Sequence, residues 1–208
     1  MGAFLVQSDD PRAPDVQALL AAHLDFAHGQ SPPEDVYALD ADGLLADDVS
    51  FFSIREGGQL LGVGALRRLD SSHAEIKSMH TLQSARGRGV GRAMLEHLLA
   101  VARTRGFERV SLETGTMAAF EPARLLYKSA GFSPCQPFGD YQPSPYSVCM
   151  TLTLGEVDAR LLAGQDVARD RRGRRHGRGG LCCRRRGEGR GHSRRCGRGG
   201  NTGRSGNC

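Results

Sequence analysis

Apolar positions along the first 154 residues change their spacing several times, and each change marks an element. Ala3–Gln7 is a short apolar run of strand length, broken by Asp10-Pro11. From Asp15 to His28, Val16, Leu19, Leu20, His23, Phe26 and Ala27 recur at helical spacing, with Asp15 after Pro14 as a candidate N-cap and Gly29 as a candidate stop. Gln30-Ser31-Pro32-Pro33 is a stiff connection. Val36, Leu39, Leu44 and Leu45 then predict one or two short helices between Glu34 and Ala46. Val49–Arg55 and Leu60–Leu69 read as strands around the turn Glu56-Gly57-Gly58-Gln59. Ser71-Ser72 turns the chain into a third strand, Ala74–Thr81.

The period then changes again. Arg92–Arg105 places Met94, Leu95, Leu98, Val101 and Ala102 on one helical stripe. Arg109–Glu113 reads as a strand and Thr114–Met117 as a loop. Phe120–Ala130 reads as a helix with Pro122 in its first turn and Gly131 at its end. Phe132 opens a short strand, Pro134, Pro137, Pro143 and Pro145 stiffen a loop, and Tyr146–Leu154 alternates like a last strand. The predicted order is β-α-α-β-β-β-α-β-α-β-β.

Charge divides the chain in two. Residues 1–154 hold 13 Lys and Arg against 18 Asp and Glu, whereas residues 155–208 hold 15 Arg, no Lys and 5 acidic residues. The first part is long enough for one core; the second, rich in Arg, Gly and Cys with no apolar period, cannot bury enough surface to order itself. Its Arg-Gly repeats suggest RNA, but no aromatic residue is interleaved for a base to stack on, so nucleic acid is not the expected partner. Cys182, Cys183, His192 and Cys196 lack the paired spacing of a zinc site, and no metal is expected. A shifted or read-through frame of a G+C-rich gene accounts for the tail best. No run approaches the roughly 18 apolar residues of a membrane helix, no signal peptide is visible, and only Cys135 and Cys149 fall in the first part. These features predict a cytoplasmic protein without disulfides.

Candidate chemistry centres on Arg86-Gly87-Arg88-Gly89-Val90-Gly91-Arg92, between a strand and a helix. Glycines let a backbone approach a ligand and turn N–H groups towards it, and a helix N-terminus adds unpaired N–H groups and its positive dipole end. Arg86, Arg88 and Arg92 add full charges. Such a turn suits a phosphate or pyrophosphate. It lacks the Gly-Lys-Ser/Thr of a Walker A loop and the spacing of a dinucleotide fingerprint.

Arg86, Gly89 and Gly91 fill the pattern Q/R-x-x-G-x-G/A, and Ala123–Phe132 fills A-x-x-L-Y-x-x-x-G-F. In this order and separation the two motifs resemble those of the GNAT (Gcn5-related) N-acetyltransferases over roughly residues 3–154. Ser31-Pro32, Ala38-Leu39-Asp40, Glu75–Met79 and Glu113-Thr114-Gly115 look like a bacterial, small-molecule branch of that family. The resemblance implies an α/β (α+β) GNAT fold, a mixed sheet of about six to seven strands splayed near the cofactor, flanked by about four helices. It implies acetyl-CoA as co-substrate and transfer of its acetyl group to a primary amine, with a protein N-terminus, a lysine or a non-catalytic CoA-binding module as alternatives. GNAT domains often pair, so a homodimer is also an expectation.

The resemblance further implies that the Arg86–Arg92 turn, through Gly87, Gly89, Val90 and Gly91 among others, holds the CoA pyrophosphate. Met79, His80 and Thr81 would lie along its pantetheine arm, one of their N–H groups near the acetyl carbonyl. Tyr127 matches the family tyrosine placed to protonate the departing thiolate. Glu75 and Glu113 are candidates for the base, and His80 is a third. Phe120 stands where the family often has an Asn that contacts CoA. Asp40, Glu75 and Glu113 would favour a cationic amine, whereas Lys77 and Arg124 would favour a carboxylate, a mix suited to an amino acid or another zwitterion.

Overall fold

The computed structural model describes residues 4–30, 32, 37 and 39–155. Strands β1 (Leu5–Ser8), β2 (Val49–Glu56), β3 (Gln59–Arg68), β4 (His73–Thr81), β5 (Arg109–Gly115), β6 (Ser133–Pro134) and β7 (Ser147–Thr153) form one sheet in the order β1-β2-β3-β4-β5-β7-β6. All neighbours are antiparallel except β4 and β5. The α-helices are α1 (Pro14–His28), α2 (Val90–Thr104) and α3 (Glu121–Ser129). The mixed seven-stranded sheet is the predicted fold class. Three α-helices stand among the described residues where about four were predicted. The segment Glu34–Ala46 contributes one 3-10 turn, Gly43–Leu45, while residues 34–36 and 38 lie outside the described residues. The predictions for the Arg-rich tail likewise fall outside them, on residues 156–208.

Both faces of the sheet are covered. α1 places Val16, Leu19 and Leu20 with Leu44 on Phe51, Val63 and Ala65. On the other face α2 buries Val90, Met94, Leu95, Leu98, Leu99 and Ala102 against Ile54, Leu66, Ile76 and Leu112. The predicted α2 stripe is present, with Leu99 added and Val101 only partly buried. α3 joins this second layer through Tyr127.

Two boundaries differ for physical reasons. Pro14 takes the first position of α1, because its fixed φ suits that site and it has no N–H to satisfy. Asp15 is therefore inside the first turn, not the cap, and pairs with Arg55 on β2 at 2.6 Å; Arg55 also holds Asp9 at 2.8 Å. α2 starts at Val90, two residues before the predicted Arg92, because Gly89 in the left-handed region (φ 88°) turns the chain into it. Among the described residues no helix is long and apolar enough to cross a membrane.

β3 approaches β4 closely at Gly62. A Cβ there would meet the carbonyl oxygen of His80 at 2.8 Å and the side chains of Ile54 and Val90 at 3.2 Å. Gly62→Ala should therefore displace β4 at His80 and destabilise the fold by about 1–3 kcal/mol, read as a lower urea midpoint at unchanged m-value.

Candidate active site

β4 and β5 stay in register only from His73 opposite Arg109 to Ile76 opposite Leu112. Beyond that point β4 runs on to Thr81 against β3, and β5 runs on to Gly115 against β7. Two strands that part while each keeps its outer partner open a wedge in the sheet. On β4 the departure begins at a bulge: Val63 faces His80 but Ala65 faces Lys77, so β4 carries one extra residue across Gly64. Ser78 in this bulge has φ 51°, the only positive φ at a non-glycine position among the described residues. Its hydroxyl is buried without a hydrogen-bond partner among them, and it lines the cavity that fills the wedge. A left-handed residue costs about 1–2 kcal/mol when it has a Cβ.

That cavity has a volume of about 490 Å³ and extends from the glycine-rich turn to α1. At the turn, Gly87 and Gly89 have φ of 75° and 88°, and a Cβ on either would meet nothing within 4 Å. No side chain caps α2. Its first N–H groups therefore have neither an intrahelical nor a side-chain acceptor. An open cradle, an uncapped helix N-terminus and the adjacent Arg86 and Arg92 fit a pyrophosphate. Arg88 is placed elsewhere: it turns to Glu56 on β2, at 2.5 Å, and does not line the cavity. Arg92 reaches the Ser129 hydroxyl at 3.2 Å, and Arg86 lies over the Phe26 ring at 6.0 Å. Val90 is buried beneath the turn. Gly91 faces Leu126 and Thr81, and Met79, His80 and Thr81 line the wedge.

Tyr127 and Glu113 line the same cavity. The Tyr127 phenol is driven well above the usual tyrosine range by burial, and the Glu113 charge adds to the shift. It is a protonated group at neutral pH. Glu75 is placed differently from Glu113. It is 2% exposed, does not line this cavity, and accepts a hydrogen bond from the Tyr141 hydroxyl, with Lys77 Nζ at 3.3 Å. Tyr141 and Lys77 line the main cavity and also a second one of about 410 Å³, which Glu75 does line. Arg124 is not at an acceptor site: it donates to the carbonyl oxygens of Gly115 and Met117 at 2.6 and 3.0 Å, holding the end of β5. Asp40 caps the Gly43–Leu45 turn by accepting from the Gly43 N–H. The Phe120 ring packs against Gly115, where a Cβ would meet it at 2.4 Å.

Sequence reasoning did not single out Tyr141, Tyr37, Ser78 or His23 for the site. His23 counts towards the α1 stripe by spacing, yet its Nδ1 is 3.2 Å from His80 Nδ1. Burial pushes both imidazoles down to about 4. Both are therefore neutral at pH 7, one donating and the other accepting. Cys149 is a packing residue whose thiol burial raises to about 11.

Two predictions follow from the bulge and the imidazole pair. Ser78→Val, a β-branched residue at positive φ, should lower stability by about 1–2 kcal/mol; Ser78→Gly, free of that strain, should not, and chemical denaturation of the two variants compares them. Between pH 6.5 and about 4 the unfolded chain binds protons that folded His23 and His80 refuse, so stability is full above pH 6.5 and falls as pH drops through this window. The urea midpoint should decline from pH 6.5 to 5, and less steeply in a His23→Gln/His80→Gln variant.

Residues 16–132 match the model of the Acetyltransferase (GNAT) family. The uncharacterized N-acetyltransferase YsnE of Bacillus subtilis is 46% identical over 149 residues, covering 72% of this chain and 99% of the relative. The uncharacterized N-acetyltransferase YedL of Escherichia coli is 46% identical over 153 residues, covering 74% and 96%. A Klebsiella pneumoniae structure assigned as an acyl-CoA N-acyltransferase superposes with a TM-score of 0.60 at 28% identity, over 73% of this chain and 97% of its own. With a wedge between parallel strands, an anion cradle at its end and these likenesses over the same residues, the chain belongs to the GNAT family of acetyl-CoA-dependent N-acetyltransferases.

Proposed function

We propose that this acetyltransferase moves the acetyl group to the primary amine of a small molecule, by direct attack with both substrates bound. The observation that carries the small-molecule reading is the ring-walled acceptor side of the cavity. Phe26 and Phe120 meet edge to face at 5.0 Å, the His23 and His80 rings are 4.9 Å apart, and Tyr37 packs on Tyr141 at 4.7 Å. A cavity of this size and lining suits a compact amine with a flat apolar body better than an extended polypeptide.

In this reading Arg86, Arg92 and the turn from Gly87 to Gly91 hold the CoA pyrophosphate, and the N–H groups of Met79–Thr81 stand by the pantetheine and the acetyl carbonyl. Acetyl-CoA supplies an activated thioester. The amine nitrogen attacks its carbonyl carbon, the carbon–sulfur bond breaks, and the sulfur takes a proton from Tyr127. The raised affinity of Tyr127 for its proton keeps that donor loaded, and Glu113, whose charge raises it, lines the same cavity. The amine's proton leaves to a carboxylate, Glu113 on the cavity wall or Glu75 through the side chains that separate it from the cavity.

Calorimetric titration with acetyl-CoA tests the cofactor site, and a released-thiol assay over amino acids, 2-phenylethylamine and short peptides tests the acceptor. Tight acetyl-CoA binding and turnover of a small amine are expected. Tyr127→Phe should lower kcat by about 10²-fold while acetyl-CoA affinity stays within about threefold. Turnover of peptides alone would replace the small-molecule reading. Binding without turnover of any amine would make the chain a CoA-binding module, and no acetyl-CoA binding would overturn the site itself.

A further inference from the structure

We infer that Tyr141 is the group that takes the proton from the acceptor amine, passing its own hydroxyl proton to Glu75, and that the second cavity is the way out for that proton. The inference rests on the acetyl-transfer reading above and assigns a role to a residue in the loop between β6 and β7.

Glu75 is 2% exposed and does not line the main cavity, whereas Tyr141 and Lys77, which touch Glu75, do. Tyr141 stands between Glu75 and that cavity. Its hydroxyl donates to Glu75 Oε1, its side chain lines the main cavity, and it is 9% exposed. The phenol oxygen donates to Glu75 and accepts from Lys77 Nζ at 2.6 Å, and in the proposed relay the amine approaches its remaining lone pair from the cavity. Lys77 is itself fixed: it donates to the Tyr37 carbonyl at 3.0 Å and lies 3.3 Å from Glu75. The Tyr141 ring is clamped edge to face by Tyr37 and by Phe138 at 5.0 Å. A proton relay needs this kind of fixed geometry, because a hydroxyl that rotates freely does not hold a donor and an acceptor in line.

The step balances. As the amine nitrogen bonds to the carbonyl carbon, its N–H proton moves to the Tyr141 oxygen and the Tyr141 O–H proton moves to Glu75. Tyr141 ends neutral, as it began, and Glu75 ends as a carboxylic acid. Lys77 Nζ lies 3.3 Å from Glu75 and donates to the Tyr141 oxygen, so one side chain holds both members of the relay in place. Glu75 then releases its proton into the second cavity, whose rim includes the exposed residues Arg68, Gly139 and Asp140. The simpler alternative is that Tyr141 only pins its loop over β4. That role predicts a stability loss with unchanged turnover.

The test uses the full chain, acetyl-CoA and the best substrate from the amine panel. Tyr141→Phe keeps the clamped ring and removes the hydroxyl. It should lower kcat by about 10²-fold with acetyl-CoA affinity unchanged, and Glu75→Gln should lower it similarly. The double variant should be no slower than the slower single one, because both act on one path. In wild type, the rate measured across mixtures of H2O and D2O should bow, as two protons move together, and should straighten in Glu75→Gln. Full turnover in Tyr141→Phe, multiplying effects in the double variant, or a straight wild-type plot each overturn the relay while leaving acetyl transfer standing. If Tyr141→Phe does not fold, the wild-type and Glu75→Gln plots decide. A wild type that binds acetyl-CoA and acetylates no amine defeats the acetyl-transfer reading, and the relay with it.

Discussion

The site depends on where the β4–β5 ladder stops. Parallel strands held in register would seal the middle of the sheet with backbone hydrogen bonds and leave nothing to offer a ligand. Here each arm of the wedge is held outward by something else. β4 stays on β3 as far as Thr81 opposite Gly62, and the Leu82 N–H continues the pairing to the Leu61 carbonyl at 2.8 Å. β5 stays on β7 as far as Gly115, where Arg124 grips its last carbonyl and the Phe120 ring occupies the space a side chain would need. The extra residue at Ser78 increases the local twist of β4 away from β5. Gly64 opposite leaves room for Met79, Met94 and Leu98 beneath the bulge. The opening is thus fixed by strand pairing on both flanks rather than by a mobile loop.

The two faces of β4 explain the division of labour around that opening. Ile76 joins the core under α2. Glu75, Lys77 and, past the bulge, His80 belong to the polar side, among His23, Tyr37 and Tyr141. A carboxylate at 2% exposure is costly unless a cation and a hydroxyl satisfy it, and Lys77 with Tyr141 does so. The same bonds that make Glu75 tolerable inside the sheet carry it to the edge of the main cavity. Burial of the charge and access to it are therefore one arrangement, with Tyr141 as the shared member.

Much of this was legible in the residues. The strand–turn–helix over Ala74–Leu99 could be read because it is local: a period change, left-handed glycines and a helical stripe lie within one stretch. The hairpin at Gly57-Gly58 and the end of α3 at Gly131 were legible for the same reason, and all three glycines have positive φ. What could not be read was long-range. Tyr141 is 66 residues from Glu75 and sits in a proline-marked loop with no period to align it. His23 and His80 meet across 57 residues, and spacing alone made His23 one more member of a helix stripe. Arg88 looked equivalent to Arg86 and Arg92 in sequence, yet Glu56 from a distant hairpin claims it. Arg124 matched an anion-binding residue by charge, but its geometry serves two backbone carbonyls.

Charge sorts the two ends of the main cavity. At the turn, Arg86, Arg92 and the uncapped start of α2 are all positive, and no carboxylate lines that end. At the α1 end the imidazoles are neutral, and the Lys77 charge is matched by Glu75 at 3.3 Å. On the proposed reading, an anionic cofactor tail is drawn to the turn, which leaves its thioester towards the rings. At the other end the cavity offers aromatic walls and the Glu113 carboxylate, with the Lys77 charge matched by Glu75 and Arg86 6.0 Å from the Phe26 ring. Arg86 joins the two ends: it lines the cavity with the turn, lies 6.0 Å over the Phe26 ring of the aromatic wall, and its charge adds to the lowering of His80, because the short path from the β-bulge to the turn keeps His80 and Arg86 close together.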